Sequence, residues 1–310
     1  MPLLTVFTPA YNRAHTIGRT YESLCRQTCK DFCWLIIDDG STDNTRELVA
    51  SWLGCKPTER MDGESGHGFR ITYIWQANQG MHGAHNTAYR NITTELNTCI
   101  DSDDWMPDNA VERIVDFWSA HGSDRYAGLV GLDQTADGKV IGTDFPTDMK
   151  ETTLLGFYER GGKGDKKLVY RTSVINSYPE YPLFEGERYV GLAYKYMLID
   201  QNWELLAFNE PLVMVEYQQD GSSFNMYRQY WNNPRGFAFF RRTEMSCTRN
   251  WKRRFLVCVH YVSSCLIAND WKALFNNPKP LITCLALPFG IGLALFIRHK
   301  VKKQSKMKFQ

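Results

Sequence analysis

The chain has 310 residues, enough for a full core in one large α/β domain or in one domain with appendages. Its 36 Lys and Arg against 34 Asp and Glu give a formal net charge of +2. That balance excludes a global field built to hold a polyanion, so no nucleic acid is expected as a partner. Six of the basic residues (Arg298, Lys300, Lys302, Lys303, Lys306 and Lys308) fall in the last thirteen positions, which leaves the rest of the chain at a formal −4. The basic character is therefore local.

Nine cysteines make an odd count, and the opening MPLLTVFTPAYN has no basic segment before its short apolar run. A secretory leader is not expected, and a reducing, cytoplasmic setting follows. Cys25, Cys29 and Cys33 invite a metal reading. Two of them, however, fall on the apolar side of a predicted helix and the third opens a strand, so buried free thiols are expected.

In chain order, LLTVFT (3 to 8) reads as a buried strand, and Ile17, Tyr21, Leu24 and Cys25 follow at helical spacing. CWLIID (33 to 38) is a second strand. The turn and cap residues of DDGSTDNT then lead into a helical stripe of Leu48, Val49, Trp52 and Leu53. RITYIW (70 to 75) is a third strand, a weakly periodic helix spans 82 to 90, and LNTCI (96 to 100) is a fourth strand. Pro107 suits a first helical position, with Val111, Ile114, Val115 and Trp118 on the buried face. Strands alternating with helices predict βαβ units and a mostly parallel sheet. In such sheets ligands sit beyond the carboxyl ends of the strands. Tyr11 to Arg13, Asp38 and Asp39, and Asp101 to Asp104 all fall there.

The stretch from 133 to 185 is less regular. Its RGGKGDKK lacks the Gly-Lys-Ser/Thr of a phosphate loop and reads as a mobile loop. Residues 224 to 254 are dense in aromatics and Arg, which reads as a helical appendage rather than a nucleic-acid surface. The apolar run 281 to 297 precedes RHKVKK and is interrupted by Pro288 and Gly290. It predicts an interfacial or re-entrant segment anchored on anionic lipid, with a buried hairpin and a true span as the other readings.

The most informative stretch is CIDSDDWMPD (99 to 108), which crowds Asp101, Asp103 and Asp104 at a strand end. Mutual repulsion raises the cost of each charge unless a divalent cation lies among them. Mg²⁺ or Mn²⁺ on one or two carboxylates completes its shell with phosphates and water, so a metal-diphosphate site is expected. The plainer reading has Asp104 capping the helix that starts near Pro107.

FTPAYNR, QTCKDFCWLIIDDGSTDNT, NQGMHGAHNTAYRN and CIDSDDWMPD follow one another at βαβ spacing. In this the chain resembles the family 2 glycosyltransferases of GT-A fold, specifically over residues 3 to about 135. FEGERY and NEPLVMVEYQQDGSS look like the acceptor half of bacterial members that build surface polysaccharide. The resemblance implies a GT-A domain over 1–222, with a nucleotide half (1–132) and an acceptor half (133–222). A helical, membrane-associating extension over 223–310 completes the expected division.

The resemblance further implies that Thr8, Pro9, Ala10 and Tyr11 line the nucleoside, that Asp39 accepts from the base, and that Asp101 faces the ribose. Arg13 and Ser102 join this set, and Asn78, Gly80 and Asn86 lie near the diphosphate and sugar. Relatives carry a basic residue where this chain has His85. Asp103 is the implied ligand for Mn²⁺ or Mg²⁺, with Asp104 as an alternative ligand, because family members use this short acidic run differently. His82 and His85, three apart, suggest a metal pair, but polar donor-site contacts are the preferred reading.

Glu187, with Glu185 second, is the nearest match to the general base, although Arg188 stands where relatives have a second carboxylate. Both could instead open a helix as caps. Asp220 is a weaker candidate, and Tyr217, Gln218 and the aromatics after Phe224 are candidates for stacking on an acceptor. The implied activity is inverting transfer from a nucleotide-diphospho-sugar, in the first instance a UDP-sugar, to a lipid-linked or polysaccharide acceptor at the inner face of the membrane. A nucleotidyltransferase and a non-catalytic binding relic are the rivals. The first needs a basic Gly-rich loop that TPAYNRAHTIG lacks.

Overall fold

The computed structural model describes residues 2–216 and 226–307, the last three of these for the backbone alone. The chain forms two compact units, one of residues Met1–Glu180 with Ile199–Glu216 and one of Tyr181–Leu198 with Tyr217–Gln310. This differs from the expected division after residue 222 in two respects: residues 181–198 group with the second unit, and that unit resumes at Tyr217.

The first unit opens with β1 (Leu4–Ala10), α1 (Ile17–Cys25), β2 (Phe32–Asp38), α2 (Thr45–Leu53), β3 (Arg60–Glu64) and β4 (Arg70–Trp75). It continues through α3 (Met81–Asn91), β5 (Leu96–Cys99), α4 (Ala110–His121), β6 (Tyr126–Thr135), β7 (Glu151–Thr152), α5 (Leu154–Glu159), β8 (Lys166–Arg171), α6 (Thr172–Asn176) and β9 (Glu204–Val215). The nine strands make one sheet in the order β3-β4-β2-β1-β5-β8-β6-β9-β7. Strands β4, β2, β1 and β5 run parallel, as the alternation of elements predicts. The rest is mixed, because β8 is antiparallel to both β5 and β6 while β6 is parallel to β9.

Every residue of β1 is buried, which is why the segment reads as an unbroken apolar run: a central parallel strand is covered on both faces. Pro9 is tolerated there because the β1–β5 ladder ends at Phe7 opposite Cys99. The core gathers Leu4, Val6, Ile17, Leu24, Trp34, Ile36, Tyr73 and Ile114. Each fully buried aliphatic side chain contributes about 1.5–3 kcal/mol. Tyr21 stacks at 4.2 Å on Trp52 and 6.0 Å from Trp34, fixing α1 and α2 on one face of β2.

Two sequence expectations change here. Lys166 and Lys167, read as part of a mobile loop, open strand β8. The Lys166 ammonium is buried and donates to the carbonyls of Ile141, Lys163 and Asp165, which replace its hydration. All nine cysteines are free, but Cys25, Cys29 and Cys33 are half-buried rather than fully enclosed.

The second unit contains α7 (Ala193–Ile199), α8 (Met226–Asn232), α9 (Pro234–Cys247), α10 (Trp251–Ile267), α11 (Trp271–Phe275) and α12 (Pro280–Met307). Its core is Met245, Val257, Cys258, Tyr261, Val262, Cys265, Leu274 and Ala286. The α10 helix starts at Asn250, whose side chain accepts from the N–H groups of Lys252 and Arg253. The α12 helix passes α10 closely at Gly290, where a Cβ would come within 2.4 Å of the Val262 side chain. Pro288 does not end α12, although it removes one helical hydrogen bond.

Candidate active site

The site lies in the first unit, at the carboxyl ends of its parallel strands. Beyond β1 the backbone turns through Asn12, which holds a left-handed φ of 55°. The Asn12 side-chain oxygen accepts from the N–H groups of Thr42 (2.8 Å) and Asp43 (3.3 Å), and its own N–H donates to Ser41 Oγ at 2.8 Å. Arg13 N–H donates to Thr45 Oγ1 (3.1 Å), and Ala14 N–H to Asp43 Oδ2 (3.0 Å). The loops after β1 and β2 are thereby fastened together. Thr8, Pro9 and Ala10 are buried beneath them, with Thr8 Oγ1 accepting from Trp34 Nε1 at 3.0 Å. Tyr11 stands out, 50% exposed.

The two Asp residues ending β2 differ in function. Asp38 is wholly buried and accepts from Tyr73 (2.6 Å) and from the Ser41 N–H (2.7 Å), so it is a structural acid. Asp39 accepts from Gln76 Nε2 (2.7 Å) and from the N–H groups of Gln79 (2.9 Å) and Gly80 (2.7 Å). Its carboxylate orders the loop that carries Asn78 and Gly80. Gly40, at φ +88°, makes this approach possible, since a Cβ would lie 2.9 Å from the Asn78 nitrogen.

Asn86 is buried on α3 with His82 and His85. His85 Nδ1 lies 2.9 Å from the Met81 carbonyl, and its ring meets Phe7 edge-on at 5.1 Å. The two histidines belong to the interior, and among the described residues no three His, Cys, Asp or Glu side chains converge to hold a metal ion.

The acidic run begins where β1 and β5 part, at the bond from Ile100 N–H to the Phe7 carbonyl (2.9 Å). Asp101 is exposed, Asp103 half-buried, and Ser102 and Asp104 buried. The run is held from two sides. From α1, Arg19 donates to the Asp103 carbonyl, lies 4.1 Å over the Trp105 ring and pairs with Glu216, while Thr20 Oγ1 donates to the Asp104 carbonyl at 2.7 Å. From β9, Met214 and Trp105 exchange backbone hydrogen bonds of 2.8 and 3.2 Å.

Burial, then the neighbouring Asp101, pushes the Asp103 carboxyl up despite Arg13 and Arg19. The same two causes push Asp104 up to about 7, with Lys167 opposing. Both carboxylates are thus held where negative charge is costly, a donor set that a divalent cation would relieve. Two carboxylates without a third protein ligand fit Mg²⁺ or Mn²⁺, which fill their shells with phosphate and water.

The structure adds two residues that the sequence reading missed. Strand β6 is antiparallel to β8, and β8 to β5, so Asp133 near the end of β6 and Lys167 at the start of β8 share the sheet edge of the acidic run. Lys167 Nζ donates to the Cys99 carbonyl at 2.9 Å. Burial alone would lower the Lys167 ammonium, but Asp133 and Asp101 outweigh it and raise it. A signal was present: LVGLD closes an apolar run on Asp just as LIIDD and NTCID do.

Glu185 and Glu187 belong to the second unit. Glu187 is 6% exposed, and its carboxylate accepts from Arg235 N–H (3.0 Å), Arg235 Nε (2.9 Å) and Gly236 N–H (2.8 Å). It therefore caps the first turn of α9, where the helix dipole and unpaired N–H groups favour a carboxylate. The Glu185 side chain is exposed. Tyr217, Gln218, Asp220 and Phe224 lie outside the described residues.

Residues 5–176 match the model of glycosyl transferase family 2. Glycosyltransferase GlyA of Streptococcus pneumoniae serotype 4 is 34% identical over 111 residues, 36% of this chain and 14% of that protein. Chondroitin synthase of Escherichia coli is 34% identical over 116 residues, 37% of this chain and 15% of that one. This chain therefore matches a small part of the length of either relative.

Among solved structures, S. aureus TarS 1–349 in complex with UDP-GlcNAc has a TM-score of 0.57 at 15% identity, covering 98% of this chain and 92% of that one. Mannosyltransferase PcManGT from Pyrobaculum calidifontis, in complex with GDP-Man and Mn²⁺, has a TM-score of 0.52 at 15% identity, covering 100% and 81%. At that identity the likeness shows the fold alone, the expected GT-A arrangement. Because the family match spans more than half of the chain and encloses both fastened loops and the acidic run, the chain belongs to glycosyl transferase family 2.

Proposed function

We propose that the protein transfers a sugar, with inversion, from a nucleotide-diphospho-sugar to a saccharide or lipid-linked acceptor in cell-surface glycan synthesis. The carrying observation is the acidic run itself, which lies within the stretch that matches the family: Asp101, Asp103 and Asp104 at the carboxyl ends of β1 and β5, held by Arg19, Thr20 and Met214. A UDP-sugar is the first donor to test, because TarS is solved with UDP-GlcNAc, whereas PcManGT is solved with GDP-Man and Mn²⁺. A polysaccharide product accords with the chondroitin synthase relative.

In this reading the nucleoside rests on Thr8 to Tyr11, with Arg13 beside the acidic run and Asp39 at the base. Asp101 and Ser102 hold the ribose side, and Asn78, Gly80 and Asn86 border the diphosphate and sugar. Asp103 and Asp104 would hold Mn²⁺ or Mg²⁺, which as a Lewis acid would neutralise the charge developing on the diphosphate leaving group. A carboxylate takes the proton from the attacking hydroxyl. With Glu187 engaged in the α9 cap, the exposed Glu185 is the preferred base, reversing the order expected from sequence.

Titration of UDP and a panel of nucleotide sugars with and without Mn²⁺ tests the donor site. Wild type should bind one of them more tightly with the metal, and Asp103→Ala should abolish that difference. Metal-independent binding in both proteins would remove the metal assignment, and binding with no transfer to any acceptor would favour the non-catalytic reading.

We further propose that the second unit rests on the anionic inner face of the cell membrane. Pro280–Gln304 is long and apolar enough to cross a membrane, and only 22% of its most apolar stretch is buried. Leu281, Leu285, Phe289 and Leu295 are exposed, and Arg298, Lys300, Lys302 and Lys303 follow them. Replacing those three lysines by Glu should release the protein from phosphatidylserine-containing vesicles; equal sedimentation would refute the electrostatic anchor.

A further inference from the structure

Asp133 and Lys167 have no part in the reading above. Asp133 is 4% exposed, and its Oδ1 has no hydrogen-bond partner among the described residues. Buried carboxylate oxygens are normally supplied with donors, so an orphan of this kind calls for an explanation. Lys167 uses one of its three N–H groups on the Cys99 carbonyl.

The register explains their proximity. Lys167 on β8 lies opposite Gly131 on β6, and Asp133 is two residues beyond Gly131. Alternation along the strand puts Asp133 and Lys167 on one face as diagonal neighbours. The opposite charges act on one another: Asp133 helps to raise the Lys167 ammonium, and Lys167 opposes the upward push that burial gives the Asp133 carboxyl.

This pairing stands at the carboxyl edge of the sheet, where Lys167 also touches Cys99, the last residue of β5 and two before Asp101. An acceptor without a donor, next to an ammonium with donors to spare, complements a hydroxyl group, which gives one hydrogen bond and receives another. We propose that Asp133 and Lys167 together bind a hydroxyl of the donor sugar and select for it, a role that rests on the donor-site reading above. A site built to hydrogen-bond a hydroxyl discriminates strongly against ligands that misplace it, because its own buried groups are then left unpaired.

Isothermal titration in the presence of Mn²⁺ tests the assignment, with UDP, UDP-glucose, UDP-galactose and UDP-GlcNAc as probes. The proteins are wild type, Asp133→Asn, Lys167→Met and the double variant. Wild type should bind at least one sugar nucleotide more tightly than UDP. Each single variant should keep its UDP affinity within about twofold and lose that preference by about tenfold. The double variant should lose no more than the worse single, because both residues act on one hydroxyl.

Variants that keep the wild-type preference would overturn the proposal, leaving water as the occupant of the pair. So would variants that weaken UDP as much as its sugar conjugates, and so would a wild type indifferent to the sugar. A wild type that binds no nucleotide at all would instead sink the donor-site reading itself. Thermal melts accompany each protein, and Lys167→Met carries the test if Asp133→Asn does not fold.

Discussion

Two sets of carboxylates withdrawn from water are supplied with donors differently. At the sheet edge, half-buried Asp103 and buried Asp104 lie beside Asp101 and are pushed toward the neutral form. At the start of α9, Glu187 is buried as deeply as Asp104, yet three N–H donors from Arg235 and Gly236 surround it. Burial alone therefore does not distinguish the two. The supply of donors does: three N–H groups surround the Glu187 carboxylate, whereas Asp104 receives a long bond from the Glu216 N–H at 3.4 Å, which under the proposed metal site leaves room for a cation.

The largest expected effect tests the catalytic side of this contrast. Glu185→Gln should lower turnover by about 10²–10⁴-fold, the usual contribution of a positioned base, and leave stability within about 0.5 kcal/mol. Unchanged turnover would move the base elsewhere. Glu187→Ala should destabilise the fold by about 3 kcal/mol in urea unfolding, since it strands Arg235 and uncaps α9. A stability-neutral Glu187→Ala with abolished turnover would restore Glu187 as the base and break the comparison.

The smallest effect sharpens the other side. A carboxyl whose pKa rises on folding contributes stability that is whole below its unfolded value of 3.8 and is lost as pH climbs through about 7 for Asp104. Without metal, Asp104→Asn should therefore be more stable than wild type at pH 8, by up to a few kcal/mol. The gap should close toward pH 4. Added Mn²⁺ should reverse the order at pH 8, and calorimetric melts across this range would show it. A gap constant with pH would mean that Asp104 carries no such cost.

Strands β1 and β2 were legible because central strands covered on both faces read as near-continuous apolar runs, and β4 and β5 because short apolar-rich segments alternate with helices. Strands β6 to β9 were harder to read. Strand β8 begins with two lysines, and nothing local reveals that carbonyls at 141 and 163 will solvate the first of them. Strand β9 carries extra residues opposite Leu132 and Asp133 of β6, which blurs the alternation of β9.

The acidic run stood out because three carboxylates in four positions are costly on any reading. Asp133 did not, since its meaning arises only once β8 brings Lys167 beside it. For His82 and His85 of α3, spacing offers a metal pair, whereas both are buried and His85 packs its ring against Phe7.

The hydrogen bonds joining Asn12, Arg13 and Ala14 to residues 41–45 make one shelf out of two segments thirty positions apart in the chain. With the nucleoside placed there as proposed, any change of base preference would require grafting both segments as a unit. A transplant of either one alone would forfeit its lateral bracing before any new contact to the nucleotide formed.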